Sequence, residues 1–186
     1  MKFLKWLLIL IVVLVLGFFL GGKSYLIEQT KKNSPEKTAT YNKNGMDLIV
    51  NYSSPFKNDR VIFGELVPYG IVWRTGANEP TTFTTGTKIH IEGKSLAAGT
   101  YSLWTRPNKT SWDILFNSEI PEWGVTILSG GKETTRDSEW DVLQVSVPVK
   151  ELTDPIESFT IQFDQSEKVF LSLLWDTTKV SIPIDH

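Results

Sequence analysis

The sequence predicts an all-β domain, an antiparallel β-sandwich or jelly-roll-like fold, that follows an N-terminal transmembrane helix. Beyond residue 43, apolar residues recur with a period of two in short runs, and Gly, Pro, Asn and Asp separate these runs. That pattern is typical of strands, and no helical periodicity appears there that would carry the crossovers of a parallel sheet. The first 22 residues, in contrast, are almost wholly apolar.

The length and composition of the chain fit a single globular domain. Of its 186 residues, 41% are hydrophobic and 12% are aromatic, which is enough to fill a core. The net charge of -2 comes without a basic cluster, so we expect no nucleic-acid partner. Cysteine is absent, which excludes disulfides, thiolate metal sites and thiol nucleophiles.

Residues 6–22 have the composition of a membrane helix. They contain no charged side chain, and residues 7–16 are all Leu, Ile or Val. The segment is at the short end of a spanning helix and longer than the roughly 7 to 15 residues of a signal-peptide core. Bulky residues at 18–20 occupy the place where cleavage requires small ones. We therefore predict an uncleaved signal anchor over residues 1–22; a signal peptide cleaved near Gly22 is the alternative.

The charges around this segment predict its orientation. Lys2 and Lys5 precede it, and positive residues remain on the cytoplasmic side. We therefore expect a single-pass membrane protein with a cytoplasmic N-terminus and a periplasmic or otherwise extracytoplasmic domain. Residues 23–43 are polar without an apolar period, which predicts a flexible tether.

The domain, residues 44–186, is predicted to contain roughly nine or ten short strands. In the first run, Met46, Leu48, Val50 and Tyr52 alternate with mostly polar residues, so one face packs inward. The other alternating runs are residues 89–91, 101–103, 112–116, 143–149, 159–163, 169–175 and 180–184. A turn at residues 92–93 follows the run at 89–91. Residues 58–69 are predicted as a loop.

Residues 70–80, Gly-Ile-Val-Trp-Arg-Thr-Gly-Ala-Asn-Glu-Pro, combine a strand with a turn rich in hydrogen-bonding groups. We call this segment the corner. Arginine can grip a carboxylate or phosphate with two hydrogen bonds. One interpretation is a ligand-binding pocket, able to orient a small polar ligand or a sugar stacked on an indole floor. Its residues would be Arg60, Trp73, Arg74, Asn78 and Glu79.

The alternative interpretation of the corner is structural. Arg74 then pairs with Glu79 across the turn, Asn78 adopts a left-handed conformation, and Gly76 allows the bend. These contacts would keep a buried loop from leaving polar groups without partners.

Catalytic motifs are not evident in the sequence. The two histidines, His90 and the terminal His186, are too few for a histidine-rich metal site, and alternation points His90 away from the packed face of its strand. We expect neither a metal nor a cofactor. A glycoside hydrolase needs two facing carboxylates, and Glu79 is one candidate. The acids available as the second are Asp113, Glu119, Glu122 and Asp141.

Several short motifs resemble one known family. They are residues 52–55, Arg60, residues 63–64, residues 67–70, the Trp-Arg-Thr-Gly-Ala-Asn-Glu run at 73–79, and residues 93–103. Together they resemble the family called domain of unknown function 2911 (DUF2911), over nearly the whole domain. The resemblance implies an exported bacterial protein, commonly of Bacteroidetes. It implies no activity.

These observations favour a membrane-anchored binding module for a small polar ligand, a glycan or an envelope partner. We favour binding over catalysis because enzymes usually show a clearer base or nucleophile. One alternative is an envelope glycan hydrolase that uses Glu79 and a second carboxylate. The other is a structural or assembly protein of the cell envelope, docked through an edge strand or an apolar patch.

Overall fold

The computed structural model describes residues 2–126, 129, 131 and 133–186. The chain divides into two compact units, Met1–Asn33 and Ser34–His186. The first unit contains helix α1 (Lys2–Gly17), a π-helical turn (Phe18–Gly22) and helix α2 (Lys23–Asn33). Among the described residues, no helix is both long enough and apolar enough to cross a membrane. The anchor over residues 1–22, of which Met1 lies outside the described residues, stays a prediction.

The second unit begins ten residues before the predicted boundary at residue 44. Residues 23–43, predicted as a flexible tether, instead form α2 and strand β1 (Glu36–Lys43). This strand pairs residue by residue with strand β2 (Met46–Ser53), and the Thr38 hydroxyl donates to Asn51 Oδ1 at 2.8 Å. Because β1 is an edge strand with mostly exposed side chains, its sequence lacks the apolar alternation that predicts a strand.

The domain is an antiparallel β-structure, as the alternation predicts. The described strands form one hydrogen-bonded order, β1-β2-β3-β6-β7-β8-β9-β4-β5, and every paired neighbour is antiparallel. A short 3₁₀ turn at Ser138–Trp140 precedes β8. The remaining strands are β3 (Thr81–Thr85), β4 (Ile89–Ile91), β5 (Lys94–Leu96), β6 (Gly99–Pro107), β7 (Ser111–Asn117), β8 (Asp141–Gln165) and β9 (Val169–Asp185).

Two long strands let this sheet curl around one core. The first part of β8 pairs with β7, and its second part pairs with β9. That second part also reaches the end of β2, where the Tyr52 hydroxyl donates to the Ile161 carbonyl at 3.3 Å and Ser54 Oγ donates to the Phe159 carbonyl at 2.6 Å. Side chains from all nine described strands therefore bury into a common cluster, and the four residues predicted to face inward from β2 are all buried.

A polar network holds a sharp bend in β9. The Oγ atoms of Ser172 and Ser181 lie 3.0 Å apart although an extended strand would separate them by roughly 30 Å. Ser172 Oγ and Lys179 Nζ each donate to Asp164 Oδ2 at 2.7 Å, and Gln162 Nε2 donates to Oδ1 at 2.6 Å. Burial raises the pKa of Asp164, but these hydrogen bonds and the charge of Lys179 hold that pKa below its ordinary value.

The lowered pKa of Asp164 predicts an acid-sensitive contribution to stability. A carboxyl group with a lowered folded pKa stabilises the fold above its unfolded pKa of about 3.9, and this stability is lost as pH falls through the folded pKa. We expect Asp164→Asn to be less stable than the wild type at neutral pH, with a difference that shrinks below about pH 4. Thermal unfolding across that range measures the difference, and a gap that stays constant with pH would contradict the prediction.

Candidate functional site

The corner runs beside β6, beyond the end of β3. The backbone amide of Trp73 donates to the Thr105 carbonyl at 2.7 Å, and the Thr105 amide returns a bond to the Trp73 carbonyl at 3.0 Å. Gly70 donates to the Pro107 carbonyl at 2.8 Å. The first part of the corner therefore pairs with β6 in the position that a longer β3 would occupy.

A tight turn then leads from the corner into β3. Thr75 is fully buried with a φ of 57°, and its hydroxyl lies 3.2 Å from Thr105 Oγ1. The Thr81 hydroxyl donates to the Thr75 carbonyl at 2.5 Å. Gly76 has a φ of 145°, and a Cβ there would lie 2.8 Å from the Ser53 carbonyl oxygen. The bend predicted at Gly76 is therefore present, and it requires glycine for space as well as for conformation.

The structure places the Trp73 ring against the core. Its centroid lies 5.1 Å from that of Phe159 and 6.0 Å from that of Trp175, in a cluster that also includes Phe63 and Trp112. Its Nε1 donates to the Gly76 carbonyl at 3.0 Å. The half-buried ring thus braces the turn from the core side. Its predicted role as the floor of a ligand pocket stays a prediction.

Arg60 is held by the turn that follows β2. It is exposed, its Nε donates to the Lys57 carbonyl at 2.9 Å, and its Nη2 donates to the Phe56 carbonyl. These bonds close the turn that follows β2. No contact described in the structure joins Arg60 to Arg74, and the predicted five-residue pocket stays a prediction.

Arg74 is the unusual residue of the corner. Its Nε is buried and has no hydrogen-bond partner among the described residues. Burial lowers the pKa of Arg74 below its ordinary value. The pairing of Arg74 with Glu79, which the structural interpretation of the corner predicts, stays a prediction. A guanidinium whose Nε is buried without a hydrogen-bond partner is costly to a fold, so a ligand could complete this position.

Gly124, which the sequence analysis did not single out, fits against Arg74. Its amide donates to the Asn78 carbonyl at 3.0 Å. A Cβ at position 124 would lie 2.9 Å from Arg74 Cβ and closer still to Arg74 Cδ. Any larger residue would therefore displace the arginine side chain. No periodicity or motif marks such a position, because the contact joins segments that are distant in sequence.

Asn78 and Glu79, at the end of the turn, lie in different environments. Asn78 is buried and has the predicted left-handed backbone, with a φ of 59°, and its Nδ2 lies 3.5 Å from Ser53 Oγ. Glu79 is half-buried and lines a groove of about 300 Å³. The other residues of the groove are Pro80, Thr82, residues 36–38 of β1 and residues 51–53 at the end of β2.

The loop that carries Gly124 joins β7 to β8 and is fastened at its base. Arg136 forms a two-pronged ion pair with Asp141, in which Nε donates to Oδ1 at 2.9 Å and Nη2 donates to Oδ2. Asn117 Nδ2 also donates to Asp141 Oδ1 at 2.9 Å. Nε1 of buried Trp104 donates to Ser102 Oγ, which in turn donates to the carbonyl of Glu119 in the first part of this loop. The environment of Arg74 thus depends on this loop.

Comparison with known proteins identifies the family of this domain. No curated protein and no solved structure matches the chain significantly. The model of one family, described as "Protein of unknown function (DUF2911)", matches residues 34–184. This range contains the corner, the groove and the loop with Gly124, and it nearly coincides with the second compact unit. The chain therefore belongs to the DUF2911 family, which confirms the resemblance found in its sequence.

Proposed function

We propose that this protein is a membrane-anchored binding module whose β-sandwich domain binds a small anionic ligand through Arg74. The ligand would carry a carboxylate or a phosphate group. The observation that supports this proposal is the buried Arg74 Nε, which has no hydrogen-bond partner among the described residues. A planar guanidinium can donate two parallel hydrogen bonds to such an anion. These hydrogen bonds are stronger at a site shielded from water than in water.

The rest of the corner supports binding because its polar groups are already held in place. Thr75, Thr81 and Asn78 bond within the turn or to adjacent strands. Trp73 braces the turn from the core side, and Gly124 restricts the arginine side chain from the loop side. A preorganised arginine loses little conformational entropy when a ligand arrives, which favours affinity.

The membrane anchor is a separate part of the proposal. Large apolar side chains are exposed along the whole of α1, including the run of Leu, Ile and Val at residues 7–16. Such a helix is stable when a lipid phase covers it. We infer a cytoplasmic N-terminus, because Lys2 and Lys5 precede the run, and a domain on the periplasmic or extracytoplasmic side.

We expect Arg74→Met to weaken anion binding without destabilising the domain. Methionine replaces the aliphatic part of the side chain and removes a buried charge that has no described partner, so unfolding should shift to the same or a higher temperature. The full chain in mild detergent is titrated with phosphate and with malonate, and the rise in unfolding temperature is followed. Affinity should fall about tenfold or more in the variant, as expected for losing a hydrogen bond to a charged group.

The control is Arg106→Met. Arg106 already has a carboxylate partner, since its Nη1 lies 3.4 Å from Asp113 Oδ2. This variant should respond to both anions as the wild type does, and chloride at equal ionic strength should have no saturable effect on any variant. If neither anion stabilises the wild type, or if Arg74→Met responds equally, Arg74 is not an anion site. A large loss of stability in Arg74→Met would instead support the structural interpretation of the corner.

The groove beside the corner favours a second candidate, an envelope glycan hydrolase. Glu79 and Glu36 both line it, and two carboxylates in one groove are the minimum for glycoside hydrolysis. In this case Glu79→Gln should still fold yet lose at least about a hundredfold in turnover of an envelope polysaccharide. Glu122→Gln, an exposed acid outside the groove, is the control. Equal turnover by Glu79→Gln and the wild type would exclude this candidate.

A further inference from the structure

The turn that follows β2 exposes an unusual amount of apolar surface. Within eleven residues, four large apolar side chains keep much of their area in solvent: Val61 54%, Leu66 43%, Tyr69 38% and Ile71 52%. We call these four side chains the apolar loop face. Single exposed apolar residues are common on soluble domains, but a group of them on one loop marks an interaction surface.

The fold holds the apolar loop face outward. Its neighbours Ile62 and Val67 point into the core and are buried. The Val67 amide donates to the Ile62 carbonyl at 2.8 Å, and the Gly64 amide donates to the Val67 carbonyl at 2.9 Å. Val61 and Leu66 cannot turn inward without breaking these bonds and removing their neighbours Ile62 and Val67 from the core. Their exposure is therefore built into the domain.

The apolar loop face lies at the end of the sheet where β1 begins. Glu36, the first residue of β1, is paired with Ser53, the last residue of β2. Directly before and after them, the Ser54 amide donates to the Pro35 carbonyl at 2.9 Å. The loop that bears the four side chains starts at this point. The chain enters the domain and presents its exposed apolar residues at one end of the sheet.

We propose that the apolar loop face rests on the lipid bilayer that holds the N-terminal helix. This inference depends on the membrane anchor proposed above and is independent of the anion site. An anchor attached at one end of a domain brings that end to the membrane, where apolar side chains transfer from water into the acyl boundary. Tyr69 suits such a position, because tyrosine favours the interface between lipid and water.

The absence of cysteine makes the test direct. Single cysteines are introduced as Leu66→Cys and Ile71→Cys in the apolar loop face and as Lys88→Cys at the opposite end of the sheet. Lys88 is exposed, and its neighbour Thr87 lies 3.5 Å from the carbonyl of Gly45 in the turn between β1 and β2. Each full-length variant is labelled with an environment-sensitive nitrobenzoxadiazole dye and reconstituted into phosphatidylethanolamine and phosphatidylglycerol vesicles. Quenching by spin-labelled lipid and by aqueous iodide is measured.

We expect spin-labelled lipid to quench the dye at positions 66 and 71 several-fold more than at position 88, and iodide to quench in the reverse order. Dyes at 66 and 71 that respond only to iodide would overturn the inference. Protection from both quenchers would also overturn it, because a protein partner would then cover the face. Alkaline carbonate separates the two proposals. Protein that carbonate releases from the vesicles lacks an anchor, whereas retained protein with unquenched labels has the anchor but no docked face.

Discussion

Replacing Trp73 with alanine is expected to destabilise the domain by about 3–5 kcal/mol, the usual cost of truncating a core tryptophan. The ring packs edge-on against Phe63, Trp112 and Phe159 and nearly parallel to Trp175. The substitution also removes the hydrogen bond from Nε1 to the Gly76 carbonyl, so the turn loses its inner support. The alanine variant therefore loses both core packing and the support of the turn.

Urea unfolding followed by far-ultraviolet circular dichroism measures this effect without relying on tryptophan fluorescence. The matched control is Trp140→Ala, because the Trp140 side chain is 56% exposed. We expect that variant to remain within about 0.5 kcal/mol of the wild type. A Trp73→Ala protein as stable as the control would mean that the ring does not support the corner, and would reopen its assignment as a ligand-stacking surface.

Replacing Arg136 with alanine is expected to cost about 3 kcal/mol, the lower end of the range for removing one partner of a buried ion pair. The side chains of Arg136 and Asp141 are only 10% and 18% exposed, so the carboxylate that remains after the substitution is poorly solvated. Asn117 would be its only other described side-chain partner. The loop that carries Gly124 should loosen, and anion binding at Arg74 should weaken with it.

Denaturant unfolding of Arg136→Ala, Asp141→Ala and the double variant gives the coupling energy of the pair. The comparison pair is Lys168 and Asp185, whose side chains are 54% and 42% exposed. Breaking that exposed pair should cost less than about 1 kcal/mol. Equal losses at the two pairs would show that the Arg136 pair is as well solvated as a surface pair and does not fasten the loop.

Much of the fold can be predicted because the alternation of buried and exposed side chains along a strand does not depend on which strand it pairs with. Met46, Leu48, Val50 and Tyr52 are buried as their spacing predicts. The turn at residues 92–93 also appears, with positive φ at both Glu92 and Gly93, as a two-residue hairpin requires. Which strands pair with each other cannot be predicted in this way. This hairpin joins β4 to the short β5, and β4 then pairs with β9 near the C-terminus, a long-range choice that local sequence does not encode.

The candidate site could be predicted only in part, for the same reason. The left-handed Asn78 and the bend at Gly76 are local properties of a turn, and both are present. The placement of Gly124 against Arg74 depends on how distant segments pack. The pattern of a strand also says which residues share a face, yet it does not say that the face of Trp73 is the inner one.

The bonds between the end of β2 and the second half of β8 impose an order on folding. Tyr52 and Ile161 are 109 residues apart in sequence, and Ser54 and Phe159 are 105 apart. Closing loops of this length comes before most of the stabilising contacts, so a β-domain of this kind is expected to fold slowly, on a scale of about milliseconds to seconds. The end of β2 lacks these partners until residues near 160 have left the ribosome. A growing chain of this protein is therefore a natural client for chaperones that hold unfolded polypeptides.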